Sequence, residues 1–296
     1  MINLTLKQLR YFDALARTGH FGRAADDCSV TQPALSMQIK ELEAALGTPL
    51  VERGREVRLT GFGEEVAARA KGILAAVDEL GDVARAAEDR LVGRLRLGVI
   101  PTIAPYLLPR VLASLASDEA ALDIHVRETV TPRLIEELKE GRLDAAIVAL
   151  PVSEPSLVET PLFSESMLLV RPEAQALEAV PSAEGLREER LLLLEEGHCF
   201  RDQALSFCAI QSASQRDGLD GSSLSTLVQM VGAGLGVTLV PEMAVGVETK
   251  SAPVSVAHFP EPRPSRTVGM VWRRSTPLNA QLTEIAALVR HAAGYG

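Results

Sequence analysis

The sequence predicts an α/β protein in three parts: a small helical head with a hairpin, one long helix, and a body of alternating strands and helices. Short amphipathic helical patterns fill residues 1–60, and an apolar heptad repeat then runs from Val66 to Leu91. From Arg94 onward the texture changes to short apolar strands separated by helical stretches.

A chain of 296 residues is long enough for two or three domains with sizeable cores. An apolar fraction of 47% with 23% charged residues excludes a disordered chain and fits an ordinary globular one. There is no N-terminal apolar signal region and no run of 18 apolar residues, so no membrane partner is expected. Three cysteines, an odd number, fit a reducing compartment, and the cytoplasm is the expected location. The net charge of −9 argues at first against nucleic acid. Its distribution weakens that objection, because residues 1–60 carry eight Lys/Arg against seven Asp/Glu and the acidity lies in the rest.

In the head, Leu6, Leu9, Phe12 and Leu15 mark a helix over 4–17 that Gly19-His20 ends. Phe21, Ala24, Ala25 and Cys28 share one face of a second short helix, where Cys28 reads as core packing. A third begins with Thr31 as N-cap and Pro33 in its first turn. Leu35, Ile39, Leu42 and Leu46 form its apolar stripe, and Gln32, Ser36 and Lys40 form a polar stripe about 100° away, beside Pro33 and Met37. Two short helices with a tight turn, the second offering such a face, describe a helix-turn-helix. Gln32 and Ser36 can reach base edges, and Lys40 and nearby arginines can neutralise phosphates. A three-helix bundle with a solvated face satisfies the same pattern. The strip Arg53-Gly54-Arg55-Glu56-Val57-Arg58-Leu59 reads as a wing beside the recognition helix, or as a solvated surface hairpin.

Residues 61–91 form the long helix. Its seam of Val66, Ala70, Ile73, Val77, Leu80, Ala84, Ala87 and Leu91 predicts a two-stranded coiled coil and a dimeric head. In the body, a strand at Leu95–Ile100 is stopped by Pro101-Thr102. Helices over about 105–116, 132–140 and 223–232 alternate with strands at 122–126, 143–150, 191–194, 236–240 and 267–272, and a helix follows Pro277. That alternation predicts a parallel sheet in two lobes, about 92–162 plus 267–296 and about 163–266. Ligand sites in such sheets lie beyond the carboxyl ends of strands, where Thr102, Thr129 and Thr131 fall. Helix capping or a turn is the plainer explanation of a threonine there.

The most distinctive stretch is Gly197-His198-Cys199-Phe200-Arg201-Asp202, followed by Cys208. Nearby positive charge or a helix N-terminus favours the reactive thiolate. His198 and Arg201 can supply charge, and Gln203-Ala204-Leu205 begins a helical run. In continuous helix, Cys199 and Cys208 would have Cα atoms roughly 13 Å apart. A disulfide needs about 4.4–6.8 Å, so bonding requires that segment to unwind, as a redox switch does. Two inert buried cysteines are the plainer alternative. The spacing of His198, Cys199 and Cys208 matches no metal motif, and no cofactor is expected.

A helix-turn-helix, a helical linker and a two-lobed α/β body, in that order, resemble the LysR-type transcriptional regulators. The resemblance is carried by Phe21, Ala24-Ala25, Thr31-Gln32-Pro33-Ala34-Leu35-Ser36, Gln38-Ile39-Lys40, Leu42-Glu43, Leu46-Gly47, Leu50, Glu52-Arg53 and Leu59-Thr60. Ile100-Pro101-Thr102, Pro105-Tyr106-Leu107-Leu108-Pro109, the cysteine segment and Arg266-Thr267-Val268-Gly269 resemble the peroxide-sensing members of that family. The resemblance implies a winged helix-turn-helix, a dimerisation helix and a periplasmic-binding-protein-like α/β regulatory domain.

It also implies roles. Thr31, Gln32, Pro33, Ser36, Lys40, Arg53 and Arg55 would meet DNA. Cys199 would be the peroxidatic thiolate and Cys208 the resolving thiol, passing through sulfenic acid to a disulfide. Thr102, Thr131 and His198 would bind and polarise peroxide, Arg266 would favour the thiolate, and Arg201 and Asp202 would hold the reduced loop. Promoter DNA, hydrogen peroxide, RNA polymerase and a glutaredoxin- or thioredoxin-type reductant are the implied partners of a homodimer or homotetramer that activates antioxidant genes. Two departures from the pattern stand out: Met37 on the recognition helix and the Ser- and Gln-rich stretch 209–222. The alternatives are a family member that binds a small organic acid between the lobes, its cysteines idle, and a thiol peroxidase, for which head and coiled coil would serve no purpose.

Overall fold

The computed structural model describes residues 3–52, 57–87, 93–117, 122–182, 185–207 and 220–294. Arg53, Arg55 and Cys208 lie outside the described residues, as does most of the stretch 209–222.

Helix α1 (Leu6–Thr18) opens with a reciprocal capping box. The Thr5 hydroxyl accepts from the Gln8 amide at 3.2 Å, and the Gln8 side chain accepts from the Thr5 amide at 3.1 Å. Helix α2 (Phe21–Asp27) is capped by His20, whose Nδ1 accepts from the Gly22 amide at 3.0 Å. Helix α3 (Gln32–Leu46) starts after Thr31, which stands at the N-cap position without a side-chain cap bond. Phe12, Leu15, Leu35, Ile39, Leu42 and Leu50 are fully enclosed in the core of the head. Strands β1 (Val51–Glu52) and β2 (Arg58–Leu59) pair antiparallel beside α3, as a wing does. The Glu43 carboxylate ties that hairpin to α3 by accepting from the Leu50 and Val51 amides at 2.9 and 3.3 Å.

Helix α4 (Gly61–Ala86) follows. Gly63 is required where the helix crosses β1, since a Cβ there would stand 2.0 Å from the Leu50 carbonyl oxygen. Ile73, Leu80 and Val83 are exposed along α4. The helix stops at Ala86, short of the expected seam, and Leu91 lies outside the described residues. Side chains take over at that end: Gln281 donates to the Ala86 carbonyl at 3.3 Å, and Arg85 lies 3.7 Å from the Asp144 carboxylate.

The body contains β3 (Gly93–Val99), α5 (Ala104–Ser117), β4 (Leu122–Glu128), α6 (Thr131–Lys139), β5 (Ala145–Leu150) and the long β6 (Leu157–Pro172). Then come β7 (Leu193–Leu194), α7 (Cys199–Phe207), β8 (Asp220–Gly221), α8 (Leu224–Gly232), β9 (Thr238–Pro241) and α9 (Glu242–Glu248). Strands β10 (Val254–Ala257) and β11 (Ser265–Arg273) and helix α10 (Asn279–Ala292) complete it. The main sheet runs β10-β6-β11-β5-β3-β4, with β9 also on β6.

This corrects the parallel sheet expected from the alternation. Among the described strands, β3 pairs parallel with β4 and β5, and β7 with β8; every pairing of β6 and β11 is antiparallel. The reason is β6, a single strand that runs straight through the expected lobe boundary at 162–163. Its register against β11 shifts between Val268 and Gly269, opposite Pro161, which has no amide hydrogen to give the ladder. One hydrophobic core gathers Leu95, Leu97, Val99, Ile147, Trp272 and Ile285; a second gathers Leu169, Leu193, Phe200, Val228 and Leu239. Strand β6 passes from the first core at Phe163 to the second at Met167. No helix of the described residues is long and apolar enough to cross a membrane.

Candidate functional site

Three chain segments converge where β3 and β4 end. The turn after β3 supplies Ile100, Pro101 and Thr102; the junction of β4 and α6 supplies Val130 and Thr131; the start of α7 supplies His198, Cys199 and Phe200. They line a narrow pocket with essentially no volume open to a water-sized molecule. Thr102, Thr131, His198 and Cys199 are thus brought together from three separate stretches. Gly197 makes the turn into α7 at φ +93°, a left-handed conformation that favours glycine. Cys199 is the first residue of α7, half-buried, with its thiol free. Backbone N–H groups and the positive end of the helix dipole favour negative charge at such a position.

Thr102 is buried, and its hydroxyl accepts from Arg266 Nη1 at 2.8 Å while its carbonyl accepts from Nη2 at 3.0 Å. The other edge of the guanidinium meets Glu165, with Nε and Nη2 at 2.8 and 2.7 Å from Oε1. Glu165 Oε2 accepts from the Met243 amide at 3.0 Å, and the Phe200 ring lies 5.5 Å from the Arg266 guanidinium carbon. Arg266 therefore reaches the pocket through Thr102 and Phe200, with its charge matched by Glu165. Glu165 is absent from the sequence-derived site. The one signal was a charged residue inside an otherwise apolar strand, in Ser164-Glu165-Ser166.

Thr131 differs from Thr102. Its hydroxyl oxygen is buried and finds no hydrogen-bond partner among the described residues. Val130 occupies the N-cap position of α6, so the capping alternative for Thr131 does not hold. His198 is half-buried, and desolvation pushes its pKa below the ordinary value, with Glu195 opposing. Arg201 donates to the Leu194 carbonyl at 2.7 Å and pairs with Asp220 at 2.9 Å, joining α7 to β7 and β8. Asp202 is exposed in the first turn of α7.

A larger cleft of about 340 Å³ adjoins the pocket and shares Thr102, Val130 and His198 with it. Thr129, Tyr106, Ser225 and Glu248 line it. The Tyr106 hydroxyl donates to Glu248 at 2.6 Å, and burial with that bond pushes the phenol pKa far up.

In the head, Thr31, Gln32, Pro33 and Lys40 are exposed on α3 and Ser36 is half-exposed. Cys28 packs against the head core at the end of α2. Burial, aided by Asp27, pushes its thiol pKa up, away from the reactive thiolate.

Residues 6–64 match the bacterial regulatory helix-turn-helix protein model of the lysR family, and residues 88–294 match the LysR substrate binding domain. The chain belongs to the LysR family of transcriptional regulators. Within that family it is 45% identical to a probable hydrogen peroxide-inducible genes activator of Streptomyces viridosporus, over 97% of this chain and 94% of the relative. It is 40% identical to the DNA-binding transcriptional dual regulator OxyR of Escherichia coli K12, over 97% and 95%. Among solved structures, a full-length OxyR variant from Pseudomonas aeruginosa superposes with a TM-score of 0.73 at 36% identity, covering 97% of this chain and 95% of that one. An H2O2-bound OxyR mutant from Corynebacterium glutamicum gives a TM-score of 0.68 at 34% identity, covering 99% and 93%.

Two outcomes follow from these contacts. Glu165→Ala leaves the enclosed Arg266 guanidinium without its counter-charge and is expected to cost about 3–5 kcal/mol, read as a fall in the urea unfolding midpoint. For His198, a folded pKa below the unfolded one means that the unfolded chain binds more protons. Stability is therefore lost as pH falls through about 6.5. Between about pH 7.5 and about pH 5.5 the unfolding midpoint of the wild type should drop further than that of His198→Gln.

Proposed function

We propose that this chain is a cytoplasmic, hydrogen-peroxide-sensing activator of transcription that binds double-stranded promoter DNA through its head. The observation that carries the reading is the Thr131 hydroxyl: buried, unsatisfied and facing the pocket that Cys199 lines. A buried polar atom without a partner costs free energy unless a ligand satisfies it. Thr102 contributes from the turn after β3. Its oxygen is occupied by Arg266, which leaves its hydroxyl hydrogen to point at a bound oxygen. His198, kept neutral by burial, offers a further hydrogen-bonding group without adding fixed charge.

The chemistry runs in two balanced steps. The Cys199 thiolate attacks one peroxide oxygen; the S–O bond forms, the O–O bond breaks, and the second oxygen leaves as hydroxide and takes a proton to become water. Cys208 then attacks the sulfenic sulfur, forming the disulfide as the S–O bond breaks and water departs. The placement of Arg201 supports its holding the reduced arrangement, because its ties to Leu194 and Asp220 must yield if α7 unwinds. Asp202 supports that arrangement through the helix dipole. Gln32, Pro33, Ser36 and Lys40 with Thr31 face DNA, and Arg53 and Arg55 are the proposed phosphate contacts. The exposed Ile73, Leu80 and Val83 suit a dimerisation seam, with a tetramer of two dimers at the promoter. RNA polymerase is the downstream partner, and a glutaredoxin- or thioredoxin-type protein resets the disulfide.

The test is thiol mapping by mass spectrometry after about one equivalent of hydrogen peroxide, with Cys28 as internal control. The expected product is a Cys199–Cys208 disulfide with Cys28 unmodified; Cys208→Ser should stop at sulfenic acid and lose the peroxide-dependent change in its DNA footprint. An unmodified Cys199 would sink the proposal and move the effector to the adjoining cleft.

A further inference from the structure

Helix α3 carries one large apolar side chain that the core does not use. At about 100° per residue, Leu35, Ile39 and Leu42 fall within a narrow arc facing the core, and all three are buried. Met37 lies about 200° from Leu35, diametrically opposite that arc. It is 55% exposed, with exposed Pro33 one turn before it and exposed Lys40 nearly one turn after. An exposed methionine in that direction has no packing role in the head. The neighbouring negative charge is drawn aside, because the Glu41 carboxylate accepts from Gln38 at 2.7 Å.

In a helix-turn-helix, the side chains opposite the core-facing stripe of the second helix enter the major groove. The apolar feature of that groove is the C5-methyl of thymine; the other base edges present hydrogen-bonding groups that a thioether serves poorly. We infer that Met37 is a specificity-determining residue that reads a thymine methyl group in each half-site, beside the polar contacts of Ser36 and Lys40. The inference rests on the head being a DNA reader and adds what it reads. Since Met37 touches no core residue's role, replacing it should leave folding within the range of ordinary surface substitutions.

The experiment uses the full-length protein and duplexes that it selects from a randomised pool. Each thymine of the selected site is replaced singly by deoxyuridine, which removes only the methyl group, and affinities are compared at one fixed salt concentration. One thymine per half-site should show a loss of about fourfold for the wild type, the worth of one buried methyl group. Met37→Ala should bind the thymine and deoxyuridine duplexes alike, and Met37→Leu should restore the difference. A methyl dependence that persists in Met37→Ala, or no methyl-dependent thymine at all, would overturn the inference while leaving the DNA-binding reading intact. Failure of the wild type to enrich any sequence would overturn both.

Discussion

The body of this protein depends on a guanidinium sealed from solvent. The side chains of Arg266 and Glu165 are 0% and 2% exposed, a placement that costs several kcal/mol per ion unless hydrogen bonds saturate both groups. Here they do. Arg266 spends its donors on Glu165 and on both oxygens of Thr102, and Glu165 spends its second oxygen on the Met243 amide. Four segments far apart in sequence are thereby fixed to one another: the turn after β3, the middle of β6, the start of α9 and the start of β11. An apolar replacement could match the stability, but it could not dictate where the Thr102 hydroxyl points.

The pocket and the neighbouring cleft differ in how their polar groups are spent. In the cleft, the Tyr106 and Ser225 hydroxyls both donate to Glu248, so much of its hydrogen bonding is internal. In the pocket, Thr131 has no such partner among the described residues. A polar ligand entering the pocket gains a bond that the protein does not make for itself, whereas one entering the cleft must compete with Glu248. That contrast, more than size, separates the two cavities chemically.

The head was legible because its determinants are local. Leu35, Ile39 and Leu42 announce a period of 3.6, Gly19 and Gly47 punctuate it, and the order of short helices does the rest. Cys199 at a helix start was legible for the same reason. Strand β6 was not, because Pro161 and the Ser164-Glu165-Ser166 run break the apolar alternation that marks a strand. Glu165 was invisible for a deeper reason: its burial is justified only by Arg266, 101 residues away. Likewise, nothing local distinguishes Thr131 from a capping threonine; the difference appears only once Val130 takes the cap. The end of α4 at Ala86 is also a tertiary matter, since Gln281 and Asp144 take up the groups there.

Strands β6 and β11 run side by side as an antiparallel ribbon with one register shift, and β6 carries on from the first core into the second. A ribbon of this kind is stiff to bending in the plane of the sheet, since bending there stretches its ladder bonds, each worth about 1 kcal/mol. It is soft to torsion, which strand pairs already display as their native twist. The two cores are therefore joined by something closer to a torsion bar than to a door hinge. Torsion of that bar is opposed where the ribbon ends by the Arg266–Glu165 pair, which ties the start of β11 to the middle of β6.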